Sequence, residues 1–250
     1  MTALRQVDEQ ERLEWQMRTD LAAVFRLTFR FDWNRGIGNH YSLMLPGRKD
    51  EFLVNPRGML FCEVTASNLI VANFAGKVVR GQGEIREVAY HIHAPIHRAN
   101  PNAQACLHVH PPNITALSLL EDGRFALSHH NNLIFNDRVA YDDAMTGPAC
   151  DLAEGDRIAK ALGDKTILVM ANHGVTVVGP TVADAFSELA VAENTCGDQL
   201  RAMWTGLKLR QQPDHLRWRH CGAWSERVDA RMSLDAWRRI LDKEEPDYAS

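Results

Sequence analysis

The chain has 250 residues, of which 45% are hydrophobic and 24% charged, and its formal net charge at pH 7 is −4. This composition is ordinary for a globular protein with a substantial core, and it excludes the basic balance typical of proteins that bind nucleic acids or anionic membranes. No apolar stretch approaches the ~20 residues that cross a bilayer, and the N-terminal segment lacks the apolar core of a signal peptide. The five cysteines are scattered and form no Cys-x-x-Cys pair, which predicts free thiols in a reducing cytoplasm.

No linker, repeat or low-complexity tract divides the chain, and its pattern favours a single α/β domain over residues 1–250. Apolar residues at helical spacing predict a first helix over about 8–31, and a Gly-rich turn follows it. Apolar runs between turn signals then predict four short strands, over 40–45, 51–55, 69–71 and 77–79.

The second part of the chain continues to mix helices and strands. A helix is predicted over 87–99, where Pro95 removes one backbone donor and should kink it. The later predicted elements are a strand ending near 110, a helix over 113–120, two short strands between 125 and 140, a helix over 152–162, strands over 166–170 and 175–178, and a helix over 181–203. Thr181 and Asp184 are a predicted capping pair at the start of the last of these helices.

Histidines stand at the ends of two strongly apolar strands. The run Leu107-His108-Val109-His110-Pro111 closes the first strand, and His173 comes just after the second. Residues two apart in a strand point to the same side, so His108 and His110 offer both imidazoles to one ion. Three neutral imidazoles with an open position make a catalytic metal site. The alternative that the residues leave open is a pair of strand-end histidines, one buried and one solvated.

Five motifs follow one another along the chain in a characteristic order. They are Gly38-Asn39-His40-Tyr41-Ser42, Asn55-Pro56-Arg57-Gly58, His93-Ala94-Pro95-Ile96-His97-Arg98-Ala99-Asn100-Pro101, Cys106-Leu107-His108-Val109-His110 and Ala171-Asn172-His173-Gly174-Val175-Thr176-Val177-Val178-Gly179. In this combination the chain resembles the class II aldolase/adducin family. The resemblance covers a core over about 13–204 and leaves a tail over 205–250.

The resemblance implies a three-layer α/β/α domain with a central mixed sheet. It also implies a homotetramer with active sites at subunit interfaces and a small molecule as the substrate. The Trp-rich tail, with Trp218, Trp224 and Trp237, is expected to pack on a neighbouring subunit or over a site.

The resemblance further implies a metal. In the family, the histidines that match His108, His110 and His173 bind a divalent metal, usually Zn²⁺, although Mn²⁺, Fe²⁺ and Co²⁺ suit the same ligands. Family enzymes break or form a carbon–carbon bond beside a carbonyl, and the metal stabilises the negative charge that cleavage leaves. Decarboxylation leaves the same electron pair, so the resemblance does not separate an aldolase from a decarboxylase.

The chain departs from the sugar-phosphate aldolases of the family at one motif. Those enzymes carry Ser-Ser-Glu where this chain has Glu87, Val88 and Ala89. The serines help to bind phosphate, which a carboxylate would repel, so we expect a non-phosphorylated substrate. Because Ala89 takes the place of the family glutamate, Glu87 is the predicted acid/base and Glu84 the second candidate. The alternative for both is a solvated helix start, where acidic side chains favour the helix dipole.

Four further residues are candidates for contact with the substrate or for catalysis. Asn39 matches an asparagine that touches substrate in the aldolases, and Arg57 offers two parallel hydrogen bonds to a carboxylate. His130 is a candidate substrate-binding residue. Tyr141 lies in the region where a neighbouring subunit supplies a tyrosine acid in the family. Each could instead be an ordinary polar residue of a turn or surface.

The sequence therefore predicts a divalent-metal-dependent carbon–carbon lyase that cleaves an aldol or decarboxylates a small hydroxy or oxo acid, with aromatic acids among the options. Two alternatives stay open. One is a non-catalytic, adducin-like binding or scaffold protein, which the replaced glutamate favours. The other is a different metal enzyme on the same fold, such as an oxygenase that uses iron.

Overall fold

The computed structural model describes residues 2–144, 147, 149–213 and 230–250, with side chains from residue 9 onward. In this part of the chain the strands are β1 (His40–Met44), β2 (Glu51–Val54), β3 (Ile70–Asn73), β4 (Val78–Arg80), β5 (Ala105–Val109), β6 (Val139–Asp142), β7 (Ile167–Met170) and β8 (Gly174–Gly179). The α-helices are α1 (Thr2–Arg30), α2 (Glu87–Ala99), α3 (Pro112–Ser118), α4 (Leu152–Leu162), α5 (Val182–Met203) and α6 (Ala230–Glu244). None of these helices combines the length and apolar character needed to span a membrane.

The strands form one mixed sheet in the order β4-β3-β2-β1-β5-β8-β7-β6 among the described residues. Every neighbouring pair is antiparallel except β6 and β7, which run parallel. The parallel pair needs a crossover, and α4 provides it between β6 and β7.

Helices cover both faces of this sheet, so its central strands are buried on both sides. On β5, Leu107 and Val109 pack into a core shared with α1 and α5, whereas Cys106 packs into a second core shared with α2 and α4. The alternation follows from the two-residue period of a strand. The predicted three-layer α/β/α fold with a mixed central sheet is therefore confirmed.

The predicted irregularity at Pro95 brings α2 and α4 together. Pro95 has no N–H, so the carbonyl of His91, one turn earlier, has no helical donor. Gly155 of α4 packs against this carbonyl so closely that a Cβ at Gly155 would lie 1.9 Å from the His91 oxygen. The absent side chain is what permits this close helix contact, which fixes α2 over the end of the sheet.

One expectation on the elements differs from the structure. The region from 125 to 140 contains one strand, β6, and a 3₁₀-helix, His130–Phe135, rather than two strands. The imidazole Nδ1 of His129 accepts a hydrogen bond from the backbone N–H of Asn131 at 3.0 Å, and this local bond competes with strand pairing.

The last described segment packs against its own chain. Asp20 of α1 receives hydrogen bonds from Arg231 and Arg238 of α6, at 2.5 and 2.6 Å. Tyr248, in the final 3₁₀-helix, is fully buried. Of the tryptophans expected at an interface, Trp237 packs on the core around α1, while Trp218 and Trp224 lie outside the described residues.

Candidate metal centre

Three histidines converge at one end of the sheet. The candidate ligand nitrogens of His108, His110 and His173 all lie within 4.8 Å of one another. The ring centroids are 4.7 Å apart for His110 and His173 and 4.9 Å for His108 and His173. The Nε2 atoms of His108 and His110 are 3.4 Å apart, so both rings point the same nitrogen towards a common centre.

The sheet register explains how residues distant in sequence meet here. His108 on β5 lies opposite His40 on β1 and opposite Thr176 on β8, so all three side chains stand on one face. His110 comes directly after β5, where Pro111 ends the strand. His173 stands in the tight turn between β7 and β8, after Asn172, whose backbone has a positive φ of 55°. Asparagine tolerates this left-handed conformation better than most residues.

A buried carboxylate holds the segment that follows His110. Glu193 of α5 accepts hydrogen bonds from the backbone N–H groups of Asn113 and Ile114, at 2.8 and 2.9 Å. These N–H groups belong to the first turn of α3, where the helix has no internal acceptors for them. Burial raises the pKa of Glu193, and the hydrogen bonds oppose that shift.

Thr176 is placed to orient the ring of His108. Its oxygen, 3.0 Å from Nδ1 of His108, is in position to accept a hydrogen bond from Nδ1–H while its own proton points to Sδ of Met170 at 3.9 Å. Nε2 of His108 then keeps its lone pair for a metal. Burial holds the pKa of His108 well below its usual range, and burial with the charge of His173 lowers that of His110 to about 4. The rings are therefore neutral at pH 7, as metal ligation requires.

The histidines line a pocket of about 340 Å³. On one wall, Arg157 donates to both carboxylate oxygens of Asp142, at 2.8 and 2.7 Å, and also to Glu154. These two carboxylates neutralise Arg157. Arg86 lines the opposite part of the pocket, and it has no carboxylate partner among the residues that the structure describes; its Nη1 donates to the carbonyl of Ile37 at 3.3 Å.

A chain of buried polar side chains begins beside the centre. The ring of His40 stacks on that of His108 with centroids 4.9 Å apart. Nδ1 of His40 is 2.7 Å from Nε2 of His93, and Ser42 Oγ lies 2.5 Å from Nδ1 of His93 and 2.7 Å from Nε2 of His97. Nδ1 of His97 donates to the carbonyl of Ala103 at 2.5 Å. We call His40, His93, Ser42 and His97 the histidine chain.

The structure places the predicted acid/base candidates at the surface. Glu84 and Arg57 lie near each other, with Oε2 and Nη1 3.8 Å apart and side chains 80% and 65% exposed. Glu87 is the first residue of α2 and is exposed. None of the three lines the pocket, whereas Arg86 and Val88, on either side of Glu87, do. At the position of the family glutamate, Ala89 is buried and brings only a methyl group.

The other predicted residues, Asn39, His130 and Tyr141, do not line the pocket of the three histidines. Asn39 is buried; its Oδ1 accepts from the backbone N–H of Arg35 at 2.7 Å, and its Nδ2 has no partner among the described residues. His130 is exposed at the start of its 3₁₀-helix. Tyr141 accepts a hydrogen bond from the backbone N–H of Phe125 at 2.9 Å and lines a neighbouring cavity, and burial raises its pKa.

Sequence reasoning missed the remaining polar residues of the pocket. His40 had one usable signal, since it is a histidine at the start of a predicted strand, but its register opposite His108 is visible only in the structure. The sequence carries no signal that distinguishes Arg86 from Arg57 as a pocket residue. Asp142 and Arg157 meet only because the end of β6 faces α4, and no local pattern indicates that contact.

Comparisons with known proteins identify the family of the chain. The sequence model of the family described as Class II Aldolase and Adducin N-terminal domain matches residues 19–200. A Putative aldolase class 2 protein of Caulobacter vibrioides is 34% identical over 242 residues, which are 94% of this chain and 93% of that protein. Human Beta-adducin is 31% identical over 75% of this chain but only 26% of its own length.

Solved structures share the fold over nearly the whole chain. The aldolase II superfamily protein from Pseudomonas syringae has a TM-score of 0.88 and 32% identity, and the match covers 95% of this chain and 96% of that one. The L-fuculose 1-phosphate aldolase from Glaciozyma antarctica has a TM-score of 0.85 at 23% identity, over 96% and 94% of the two chains, which shows a common fold.

The fold and the site together define an α/β protein of the class II aldolase type, with a histidine cluster at one end of a mixed sheet. The family match covers most of the chain, and a relative above 30% identity covers almost all of it. The chain belongs to the class II aldolase/adducin family.

Proposed function

We propose that the protein is a divalent-metal-dependent carbon–carbon lyase, with His108, His110 and His173 as the metal ligands. The observation that carries this proposal is the convergence of the three imidazole rings, with their candidate ligand nitrogens within 4.8 Å. The donor set fits a metal, because the rings are neutral and the Thr176 hydroxyl orients His108. Three imidazoles and no carboxylate suit Zn²⁺ best, and Mn²⁺, Fe²⁺ and Co²⁺ remain options.

The pocket supports a small anionic substrate. A metal bound here would act as a Lewis acid beside the carbonyl or hydroxyl carbon whose bond breaks. Arg86 brings a guanidinium to the same pocket without a carboxylate partner, and it can hold a substrate carboxylate by two parallel hydrogen bonds. We therefore assign to Arg86 the role that the sequence analysis gave to Arg57. The volume of about 340 Å³ suits a small hydroxy or oxo acid.

The pocket also favours a substrate without phosphate. Where the sugar-phosphate aldolases carry their phosphate-binding serines, this chain has the exposed Glu87 and the apolar Val88, which lines the pocket. The identity of the acid/base residue stays a prediction. Glu87 and Glu84 are exposed, and the carboxylates at the pocket, Asp142 and Glu154, are both held by Arg157.

We further propose that the protein assembles as a homotetramer with sites at subunit interfaces, acting in the cytoplasm. Support comes from apolar side chains left in solvent at the ends of α3 and α5: Leu119 is 60% exposed, Trp204 86% and Leu207 76%. Apolar side chains of this size become buried where a neighbouring copy packs on them. Free thiols at Cys62, Cys106, Cys150 and Cys196 fit a reducing compartment. In an interface site, Tyr141 could come from a neighbouring copy.

The alternative of a non-catalytic scaffold draws support from the similarity to Beta-adducin, an identity of 31%. Against it stands the cluster itself, since a scaffold has no need for three converging neutral imidazoles. An iron-dependent oxygenase on the same fold is distinguished by the identity of the bound metal.

Elemental metal analysis tests the proposal. The purified protein should carry close to one divalent ion per chain, and a His108→Ala/His110→Ala double variant should carry little. A His91→Gln variant is the matched control, because His91 is a buried histidine outside the cluster. Zinc or manganese would direct the substrate screen to hydroxy and oxo acids, and iron would direct it to oxygenase chemistry. No metal in the parent protein, even after addition of zinc and manganese, would overturn the enzyme proposal and favour the scaffold.

A further inference from the structure

The direction of every hydrogen bond in the histidine chain follows from its inner end, where His97 bonds to the carbonyl of Ala103. The carbonyl of Ala103 only accepts, so Nδ1 of His97 carries a proton and donates to it at 2.5 Å. His97 is buried among uncharged groups and keeps a single ring proton, so its Nε2 is an acceptor. The Ser42 hydroxyl therefore donates to Nε2 of His97 at 2.7 Å.

The same reasoning continues outward. Ser42 has only one hydroxyl proton and has given it to His97, so its oxygen accepts from Nδ1–H of His93 at 2.5 Å. His93 is fully buried and neutral, and its Nε2 accepts from Nδ1–H of His40 at 2.7 Å. His40 thus carries its proton on Nδ1 and has a lone pair on Nε2.

The outer end of the chain reaches the candidate active site. His40 lines the same pocket as His108, His110 and Arg86, and its ring stacks on His108. Its Nε2 has no hydrogen-bond partner within the described part of the chain, and it is not among the fully buried atoms that lack one. The nitrogen is therefore an acceptor that stands available to a molecule in the pocket.

We propose that Nε2 of His40 accepts a hydrogen bond from a hydroxyl group of the substrate, and that His93, Ser42 and His97 hold His40 in the tautomer that can do so. The inference rests on the proposed function, and it specifies the substrate further: an acid that carries a hydroxyl group next to its carboxylate. Arg86 binds the carboxylate, and His40 recognises the neighbouring hydroxyl. His93, Ser42 and His97 are positioning residues, because they act only through His40.

A purely structural role for the chain predicts something different. A packing role is satisfied by the same tautomers, because the Ala103 carbonyl imposes them, but it predicts no preference for a substrate that offers a hydroxyl group to His40. Free histidine in water favours the proton on Nε2, so three successive rings with the proton on Nδ1 are a specific outcome. Only the polarised chain that starts at Ala103 requires it.

A neutron diffraction structure of the metal-free protein tests the tautomers directly. Deuterium is expected on Nδ1 of His40, His93 and His97, and none on Nε2 of His40. Deuterium on Nε2 of His40 would overturn the proposal. This measurement does not depend on metal binding. The proposed function can therefore fail while the tautomer assignment stands, and the tautomer assignment can fail while the proposed function stands.

A binding experiment tests the use of His40. The probes are glycolate, which has a hydroxyl next to its carboxylate, and methoxyacetate, in which that hydroxyl is methylated. Their affinities for the Co²⁺-loaded protein are measured from the visible absorption of the metal. In His40→Phe, the preference for glycolate over methoxyacetate should fall about tenfold, the value of one hydrogen bond.

Two further variants control this experiment. Ser42→Ala should lower the same preference without touching the pocket, and it replaces His40→Phe if that variant does not fold. His91→Gln removes another buried histidine of α2, the helix that carries His93 and His97. His91 bonds to the carbonyl of Ala149 and not to the histidine chain, so this variant should leave the preference unchanged. An unchanged preference in both His40→Phe and Ser42→Ala, with cobalt still bound, would overturn the role of His40.

Discussion

Gly174 at the start of β8 lies directly against the imidazole ring of His110. A Cβ at Gly174 would approach Cδ2 of His110 to 2.5 Å and the carbonyl oxygen of Val109 to 2.7 Å. Neither neighbour can yield easily, since Val109 is part of the sheet and His110 belongs to the candidate metal centre. The glycine that follows His173 is therefore part of the architecture of the site.

Gly174→Ala should displace His110 and weaken metal binding. We expect the free energy of unfolding to fall by about 1–3 kcal/mol, as for other overpacked cores. We expect zinc affinity to fall at least tenfold, because one ligand leaves its position. Urea unfolding and a competition titration with a zinc chelator measure the two effects.

Gly179→Ala is the control for that variant. It lies at the other end of β8, where a Cβ would come within 2.9 Å of the backbone nitrogen of Ala185. It should reduce stability and leave zinc affinity unchanged. Equal losses of zinc affinity in the two variants would mean that the effect of Gly174→Ala is general destabilisation.

The hydroxyl of Thr176 provides a second test of the centre. Thr176→Val keeps the shape of the side chain but removes the acceptor for Nδ1–H of His108, which lies 3.0 Å away. Loss of such an orienting bond should weaken zinc binding about 10–100-fold. Thr115→Val is the matched control, since the Thr115 hydroxyl has no partner within the described residues. Unchanged zinc affinity in Thr176→Val would show that packing alone orients His108.

The sequence predicted the fold well because its signals there are local. Apolar runs between turn signals indicated the strands, and the family resemblance implied the mixed sheet that they form. The capping pair at the start of α5 is present: the Thr181 hydroxyl accepts from the backbone N–H of Asp184. Of the two strands predicted between 125 and 140, one was wrong, because a local bond from Asn131 to His129 closes a 3₁₀-turn there. Side chain–backbone bonds of this kind outweigh a weak apolar pattern.

The candidate site was only partly accessible from the sequence. His108 lies near the end of β5 and His110 directly follows that strand, so their convergence follows from spacing, and the structure brings His173 to them. Arg57 and Glu84 were plausible on chemical grounds, yet they lie near each other at the surface. Arg86 reaches the pocket through the packing of α2 on the sheet, and His40 reaches it through the pairing of β1 with β5; both are contacts between segments distant in sequence.

Arg86 and Arg57 can be separated by one pair of variants. Arg86→Met should weaken the binding of glycolate to the Co²⁺-loaded protein about 10–100-fold, because a hydrogen bond between charged groups is lost. Arg57→Met should change it little, since Arg57 is 65% exposed beside Glu84. Arg98→Met is the control for charge on α2, as Arg98 pairs with Asp156 at the surface. A loss confined to Arg57→Met would instead support the assignment made from the sequence.

The histidine chain should make the stability of the metal-free protein dependent on pH. Burial lowers the pKa of His97 from 6.5 to about 4, so the unfolded chain takes up a proton in a pH range where the folded one does not. Stability therefore falls as the pH decreases from about 6.5 to 4, and at pH 7 the contribution is fully present. For His97 alone the loss is about 3 kcal/mol over this range.

His97→Gln isolates that contribution. The variant should be less stable than the parent at pH 7, because Gln restores neither bond with correct geometry. Its free energy of unfolding, measured by urea denaturation at pH 7, 6, 5 and 4, should then decrease less steeply than that of the parent. The two curves converge as the pH approaches 4, since protonation removes the advantage of the buried neutral ring. Parallel curves would mean that the pKa of His97 is the same in the folded and the unfolded protein, so that the folded ring takes up a proton below about pH 6.5. That outcome would contradict a buried ring that stays neutral in the chain that ends at His40.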